Sequence, residues 1–580
     1  MIYKNPILKS DYSDPDVIRV GQNYYMVSSS FTYLPGIPIL QSTDLVSWHT
    51  IGYAAEKLPF SRYSQPAHKC GTWAPSLRYR PSTGLFYVYV CLPDEGLFAF
   101  TAKDPVGPWA THYVKDVCGW IDPCPLFDVP NSTTCNYLIH GFAASRCGIN
   151  NVLYLHQLSD DGLSVLDKGR CVYDGAQHGD TTVEGPKIYQ RGKFFYIFCP
   201  AGGVEQGYQL ALRASSVYGP YERQVVLRQG DTPINGPHQG GWVDTGHGED
   251  FFIHFQDVGP YGRVTHLQPL RWVDDWPLVG TAALGVNATS SHSVTSGFNG
   301  PTVPIDANSS VAPSDSVNGQ IPCGEPVLSA HGPAFMPDSS SACISHPLMS
   351  DDFKGQISLQ WQWQSNPNPS WFQKTPQGLR LFAAPSDSLF HAGQFLSQLM
   401  QYWNFDMDVC LTLSSMGANG ASSSAVSSCQ VSECALSDCQ VGDRAGIGMM
   451  GYTYHYLSLE NGGITLYEGY ATEISRWERE QVTETKLAEI PWNSNTALMR
   501  MSVRQGRVSF FCAPAYGSFV GTPDFKPIGS SYEMTCGGWV SARPGIFCMN
   551  TQGTWGGSAL FSFCHVTDKD APAESDYPKK

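Results

Sequence analysis

Five residues recur at similar places in the first half of this sequence, and most of them can move protons: Asp14, Ala74, Asp122, Glu184 and His238. They follow one another at intervals of roughly 50–60 residues. Three are carboxylic acids. Carboxyl groups that share one site repel each other, so their pKa values separate and one can stay ionised while another stays protonated. That arrangement suits glycosidic bond cleavage, in which one carboxylate activates water and another acid protonates the leaving oxygen.

Each of these residues opens a segment with a common pattern, which is an apolar strand, a turn and a second strand rich in aromatic residues. In the first segment, residues 16–20 are followed by a turn at Gly21 and by the strand 24–27. A repeat of this length suits one four-stranded blade, so residues 1–284 are predicted to form a five-bladed β-propeller. Because the inner strands of a propeller start near its axis, we expect the five leading residues to converge on one shallow well.

The composition changes after the fifth repeat. Residues 285–346 are rich in Ser, Thr, Pro, Gly and Asn, which predicts a linker that crosses the surface. Alternation of apolar and polar residues then predicts a two-sheet β-sandwich over 347–566. The strand candidates there are 359–363, 378–382, 445–449, 456–459 and 507–511, with a long loop at 415–441 and a disordered tail at 567–580.

The composition excludes several classes of function. The chain has 580 residues, too many for one hydrophobic core, so at least two domains are expected. Its net charge of −15 argues against nucleic-acid binding and against binding to an anionic membrane surface. It contains no run of about 20 apolar residues that would span a bilayer. A neutral polar ligand is compatible with this charge.

The sequence features that bear on the cell compartment disagree with each other. The 18 cysteines and the glycosylation sequons at Asn131, Asn287 and Asn308 suggest an oxidising, glycosylating compartment. No signal peptide precedes the first repeat, however. The protein would be cytoplasmic if Met1 is the native start, and extracellular if a signal peptide has been removed. We interpret the loop cysteines Cys429, Cys434 and Cys439 as free thiols or disulfides and not as a metal site.

Short motifs along the chain resemble those of glycoside hydrolase family 43, in the order and at the spacing found there. They are Asn5-Pro6-Ile7-Leu8, SDP (13–15), FTYLPGIPI (31–39), STDLVSW (42–48), TWAPS (72–76), IDP (121–123), EGP (184–186), GPHQGGWV (236–243) and YGRV (261–264). The second half resembles the concanavalin-like sandwich appended to many β-xylosidases of the family. The resemblance therefore implies an all-β protein, a five-bladed β-propeller followed by a concanavalin-like jelly roll.

The resemblance also implies catalytic roles. Asp14 lies where the family has its general base, Glu184 where it has the general acid, and Asp122 where it has the residue that orients the acid and modulates its pKa. The family inverts anomeric configuration in one displacement, which needs carboxyl groups about 6.5–9.5 Å apart with water between base and sugar. The pKa of Glu184 should be raised to roughly 6–7. No cofactor is required.

Four further residues are expected to bind sugar. Phe31 and Trp73 are predicted walls of the subsite for the terminal sugar, because Phe31 follows the outgoing strand of blade one and Trp73 precedes a leading position. By resemblance, Arg263 reaches the sugar hydroxyls. His238 resembles a histidine near the propeller axis that either touches sugar or joins a mainly water-coordinated, structural Ca²⁺ site.

The first functional hypothesis is an inverting exo-glycosidase acting on xylo-oligosaccharides or arabinoxylan. Within it, β-D-xylosidase ranks above α-L-arabinofuranosidase, because the appended sandwich closes one side of the pocket in similar proteins. A non-catalytic carbohydrate-binding protein is the alternative of another class, although a lectin needs no acids with separated pKa values. A sialidase-type propeller is disfavoured, since repeated Ser-x-Asp-x-Gly-x-x-Trp boxes are not found. The oligomeric state is left open, and a homo-oligomer is compatible with the sequence.

Overall fold

The computed structural model describes residues 2–130, 136–285, 322–334, 348–414, 441–472, 479–515 and 523–570. Nearly all of its regular structure is β-strand, beginning with β1 (Ile2–Lys4). The α-helices among the described residues are two single turns, α1 (Ala144–Cys147) and α2 (Gly203–Gln206). None of the described helices has the length and apolar character needed to cross a membrane.

Five four-stranded antiparallel sheets follow β1, each built from consecutive strands. Blade one contains β2 (Asp16–Val20), β3 (Asn23–Val27), β4 (Gly36–Ser42) and β5 (His49–Ala55). Blade two contains β6 (Trp73–Arg80), β7 (Leu85–Leu92), β8 (Gly96–Ala102) and β9 (Ala110–Lys115). Blade three contains β10 (Trp120–Leu126), β11 (Tyr137–Phe142), β12 (Val152–Gln157) and β13 (Arg170–Asp174). Blade four contains β14 (Lys187–Arg191), β15 (Phe194–Ala201), β16 (Tyr208–Ala214) and β17 (Glu222–Arg228). Blade five contains β18 (His238–Asp244), β19 (Asp250–Asp257), β20 (Arg263–Val273) and β21 (Trp276–Val279).

These sheets confirm the predicted five-bladed β-propeller. The second strand of each blade is rich in aromatic and β-branched residues, which pack well on the pleated surfaces between blades. The predicted turn at Gly21 is present, and its φ of 63° is one that glycine adopts at little cost. No blade combines strands from the two ends of the chain. Instead, the side chain of Asn5 joins the chain start to blade five, donating to Leu267 O at 2.8 Å and accepting from Leu267 N at 2.9 Å.

The second half forms two large sheets. In the first, the strand order is β23 (Gln362–Trp363), β27 (Leu396–Ser397), β36 (Arg543–Asn550), β29 (Asp443–Met450), β30 (Thr453–Glu460), β31 (Gly463–Thr472) and β32 (Gln481–Pro491), and β26 (Ala384–Pro385) also pairs with β36. In the second, the order is β24 (Phe372–Thr375), β25 (Gly378–Phe382), β37 (Ser558–Asp568), β28 (Phe405–Ser414), β33 (Thr496–Arg504), β34 (Arg507–Ala513) and β35 (Lys526–Glu533).

A continuous apolar core between these sheets identifies the predicted sandwich. Trp361, Met407, Ile447 and Phe561 are among its buried residues. Four of the five strand candidates lie within observed strands, whereas the candidate at 359–363 is a strand only at Gln362–Trp363. The predicted loop at 415–441 lies outside the described residues apart from Val441.

The structure modifies one predicted boundary and adds a strand within the predicted linker. The disordered tail was predicted from 567, but β37 continues to Asp568, and the carboxylate of Asp570 accepts hydrogen bonds from Asn404 N at 2.8 Å and Lys9 Nζ at 3.1 Å. Polar composition alone did not reveal these partners. The remainder of that tail lies outside the described residues. Within the predicted linker, β22 (Ser329–His331) pairs antiparallel with β1, and Val327 N donates to Gln268 Oε1 at 2.7 Å, so this part of the linker packs against the propeller.

Candidate active site

The leading residues stand at irregularities where the first strand of each blade begins. Asp14, Ala74 and Asp122 have φ values of 56°, 36° and 57°, and each precedes a proline. A positive φ is costly for a residue with a Cβ, and the following proline disfavours compact conformations further. Such strain, of about 1–3 kcal/mol per residue, persists only where the surroundings enforce it, and it clusters at functional sites.

The structure corrects the register of the repeat in blades four and five. There the positive φ falls on Gly185 (57°) and Gln239 (24°), one residue after Glu184 and His238. The pairing register agrees, since the ladder breaks after His238 in blade five and after Ile121 in blade three. Glu184 and His238 therefore precede the irregular residue, whereas Asp14 and Asp122 occupy it. Because a bulge re-aims neighbouring side chains, both positions still reach one mouth.

Asp14 is held by two partners from other parts of the propeller. Ser29 Oγ donates to Asp14 Oδ2 at 2.5 Å and accepts a hydrogen bond from Ala74 N at 2.7 Å. The amide of Ala74 can only donate, so Ser29 Oγ accepts from it and keeps its own proton for Asp14. The other oxygen, Oδ1, lies 3.6 Å from Arg263 Nη1. The side chain is only 6% exposed, so its orientation is well determined by these contacts.

Asp122 and Glu184 meet across the junction of blades three and four. Asp122 Oδ2 accepts a hydrogen bond from Gly185 N at 2.7 Å, directly beside Glu184 in the chain. The loop that leads to Glu184 is fixed by Asp180, which accepts hydrogen bonds from Tyr208 at 2.6 Å and from Arg223 Nε at 2.7 Å. Asp122 is buried, whereas the Glu184 side chain keeps 26% exposure and faces the mouth.

The three carboxyl groups interact electrostatically, which separates their proton affinities. Burial, followed by the charges of Asp122 and Asp14, raises the pKa of Glu184 to about 8. Burial and the charge of Asp14 raise the pKa of Asp122 to about 7, although Gly185 N–H, Lys187 and Arg263 act in the opposite direction. At neutral pH, Glu184 is therefore the group that holds a proton most firmly. Its pKa is raised further than the predicted 6–7.

His238 lies beside Glu184 but is not charged. Its Nε2 is 3.5 Å from Glu184 Oε1, and burial together with Arg263 lowers its pKa to about 3. Neither ring nitrogen makes a hydrogen bond to another described residue. Ca²⁺ prefers six to eight oxygen ligands, and the described residues include no cluster of three or more His, Cys, Asp or Glu side chains that could hold a metal. A mainly water-coordinated Ca²⁺ site needs no such cluster, so the calcium site expected at His238 stays a prediction.

Arg263 connects the mouth to the sandwich. Its guanidinium faces Asp14, and its backbone N–H donates to Asp11 Oδ1 at 2.9 Å. The other oxygen of Asp11 accepts from Ser541 N, in the sandwich, at 2.6 Å. One buried carboxylate thus fixes both the predicted sugar-binding arginine and the sandwich segment beside it.

The predicted aromatic walls lie side by side and share a third partner. The rings of Phe31 and Trp73 are 6.2 Å apart, and Trp539 of the sandwich packs edge-on against Trp73 at 4.7 Å. Phe31 is only 4% exposed, because Trp539 and Val540 lie against it. Trp539 keeps 38% exposure and presents its remaining surface to the pocket.

Beside these rings the structure has a pocket of about 260 Å³ whose wall is shared between the two domains. The propeller contributes Lys69, Asp257 and Arg263, and the sandwich contributes Tyr452 and the segment 536–540. Sequence reasoning missed Trp539 and Tyr452. The only local signal was a tryptophan after two glycines, Gly537-Gly538-Trp539, in a segment too distant in the chain to be connected with the propeller motifs.

Comparison with known proteins agrees with this geometry. The model "Glycosyl hydrolases family 43" matches residues 3–277, and "Beta xylosidase C-terminal Concanavalin A-like domain" matches 350–421 and 432–567. The chain belongs to glycosyl hydrolase family 43. Among its curated relatives, a "Putative beta-xylosidase" of Xylanibacter ruminicola is 38% identical over 405 residues, covering 68% of this chain and 65% of that protein.

A second relative is named for a different activity. The "Non-reducing end alpha-L-arabinofuranosidase BoGH43B" of Bacteroides ovatus is 30% identical over 309 residues, covering 48% of this chain and 53% of that protein. The matches thus span less than two thirds of either relative. A solved family 43 structure, BlXynB of Bacillus licheniformis, has a TM-score of 0.72 at 20% identity and covers 98% of this chain and 99% of its own, which shows the shared fold.

Proposed function

We propose that this protein is an inverting, exo-acting β-D-xylosidase that releases terminal xylose from β-1,4-xylo-oligosaccharides and xylan fragments. The observation that carries this proposal is the group of three carboxyl-bearing residues at one mouth, two of which have raised pKa values. A lectin gains nothing from buried acids that interact in this way, whereas single-displacement hydrolysis requires one acid and one base.

The geometry suits a division of roles among the three residues. Asp14, fixed by Ser29 and facing Arg263, accepts a proton from the water that attacks the anomeric carbon. Glu184, protonated at neutral pH, gives its proton to the glycosidic oxygen as the bond to the leaving sugar breaks. Asp122 accepts from Gly185 N and raises the pKa of the neighbouring acid. After release, Asp14 loses a proton and Glu184 regains one, which restores the starting state.

Exo action is supported by the wall that the sandwich adds. Trp539 and Tyr452 line one pocket together with Arg263, whose guanidinium faces Asp14, so the sandwich forms a wall next to the acids. A long xylan chain could not pass through a site closed on that side, so a chain end would have to enter. The ring of Trp539, against which Trp73 packs, lines the pocket and offers an apolar face to a sugar.

The names of the relatives support two substrate preferences. One relative is named a putative β-xylosidase and another an α-L-arabinofuranosidase. Because the two pentoses place similar hydroxyl groups in similar positions, arabinofuranosidase activity on arabinoxylan is the second candidate, with the same three residues.

Product analysis on xylo-oligosaccharides and arabinoxylan, followed by ¹H NMR of the anomeric protons, tests substrate, exo action and inversion together. The expected first product from xylobiose is α-xylose. Release of arabinose much faster than xylose would reverse the order of the two activities. If the wild type turned over no pentoside yet bound xylo-oligosaccharides, the carbohydrate-binding alternative would replace the proposal.

A further inference from the structure

A lysine is completely buried on the propeller axis. Lys187 opens β14 in blade four, three residues after Glu184, and it has 0% exposure. Its Nζ donates to Ser76 Oγ at 2.9 Å, and Ser76 belongs to β6 in blade two. Blades two and four are not neighbours in a ring of five, so this hydrogen bond crosses the centre of the propeller, beside blade three and Asp122.

One hydroxyl group does not compensate for burying an ammonium ion. An isolated buried charge is strongly unfavourable, and it persists in proteins when an opposite charge lies near it. The carboxylate of Asp122 supplies an opposite charge, and Lys187 acts on it through space by lowering its pKa. Asp122 also accepts from Gly185 N at 2.7 Å, so one short segment, 185–187, supplies both a hydrogen bond and a positive charge to it.

The charges around the two acids are not symmetrical. Asp122 faces Asp14, Lys187 and Arg263, whereas Glu184 faces Asp122, Asp14, Arg263 and the neutral His238. Arg263 and Asp14 act on both acids. Lys187 is the charged group that acts on Asp122 without a corresponding effect on Glu184.

We propose that Lys187 is a positioning residue for the acid: its buried ammonium ion holds Asp122 as the carboxylate, so that the proton shared by the two carboxyl groups resides on Glu184. Without this charge the proton moves to Asp122, and Glu184 loses the proton that the leaving oxygen needs. This inference rests on the proposed glycosidase function and adds to it a residue outside the three carboxyl groups.

The test uses two substrates that differ in their need for an acid. Xylobiose has a sugar leaving group that must be protonated, whereas 2,4-dinitrophenyl β-xyloside releases a stable phenolate without help. Lys187→Met removes the charge at similar length. We expect kcat on xylobiose to fall by about 10²-fold or more, since acid catalysis is worth roughly 10²–10⁴-fold. On the aryl xyloside, kcat should fall less than about tenfold.

The pH profile and a control variant separate charge from structure. In Lys187→Met, the maximum of kcat/KM on xylobiose should fall and its alkaline limb should move to higher pH, because the carboxyl pair without a nearby positive charge holds its shared proton more firmly, but on Asp122. Lys187→Arg keeps the charge and should keep the ratio of the two rates near that of the wild type. If Lys187→Met does not fold, Ser76→Ala removes the hydrogen bond and should lower the rate on xylobiose more than the rate on the aryl xyloside.

The outcomes are distinguishable. Equal losses on both substrates, with an unchanged pH profile, would overturn the proposal and leave Lys187 as a structural residue. The same conclusion follows if Lys187→Arg changes the ratio of the rates on xylobiose and on the aryl xyloside as much as Lys187→Met does. A wild type that hydrolyses neither substrate refutes the proposed function, and this inference with it.

Discussion

Replacing Glu184 with glutamine should stabilise the protein at neutral pH while it removes the proposed acid. The pKa of this carboxyl is about 8 in the folded protein, against 4.5 for an ordinary glutamate. Between these values the unfolded chain is ionised and the folded protein is protonated, so folding takes up a proton. Stability must therefore fall as the pH rises from 4.5 to 8. Glutamine has the same shape and no such penalty.

The size of the effect follows from the same values. Each pH unit between the two pKa values corresponds to about 1.4 kcal/mol. At pH 7 the ionisation of Glu184 in the unfolded chain therefore lowers the free energy of unfolding of the wild type by about 3 kcal/mol. This is an upper value, because the side chain is 26% exposed and water screens part of the interaction. For a large domain, about 3 kcal/mol corresponds to a rise in Tm of roughly 5–10 °C.

The assay is thermal unfolding of wild type and Glu184→Gln at pH values from 4 to 8, read as the difference in Tm. The difference should be near zero at pH 4 and should grow with pH. Glu533→Gln, at an exposed glutamate in β35, is the matched control and should show no such growth. If Glu184→Gln were no more stable at pH 7 than at pH 4, relative to wild type, the assignment of a raised pKa to Glu184 would be wrong.

Three further outcomes are expected. The kcat/KM on xylobiose should fall on the alkaline side with a midpoint near pH 8, as Glu184 loses its proton, and a profile still flat at pH 9 would contradict this. Ser29→Ala should lower kcat about tenfold or more by freeing Asp14, since hydrogen bonds to charged groups are worth about 1.5–3 kcal/mol. The control is Ser28→Ala, at a buried serine that makes no hydrogen bond to Asp14, and equal losses of kcat in both variants would refute the role of Ser29. Trp539→Ala should raise the KM for xylobiose about tenfold through loss of an aromatic wall, whereas the exposed Trp555→Ala should not, and an unchanged KM in Trp539→Ala would exclude that wall from substrate binding.

Local patterns were sufficient to predict the propeller. The repeat of an apolar strand, a turn and an aromatic strand depends on residues close in sequence, and hairpin pairing is local, so five blades could be counted before the structure was known. The register within blades four and five was wrong by one residue. Alternation along a strand does not show where a bulge falls, and the positive φ at Gly185 and Gln239 marks that place only in the backbone.

Some residues of the candidate site could also be predicted from the sequence, and others could not. Asp14, Asp122 and Glu184 were identified from the sequence because acids in a repeated context are unusual, and the structure brings them into electrostatic contact. Ser29 and Trp539 were not identified. Serine and tryptophan are common in strands and loops, and nothing in their own segments indicates a partner 15 or several hundred residues away.

By itself the sequence determined which side chains could exchange protons and how many blades would carry them, since both depend on residue type and short-range periodicity. The family resemblance predicted Glu184 as the acid, but the physical cause of that choice lies only in the tertiary structure. That choice depends on how deeply each carboxyl is buried and on charges contributed by other blades, such as Lys187 beside Asp122. Electrostatic interactions act through space and strengthen where water is excluded, so they cannot be read from positions along the chain.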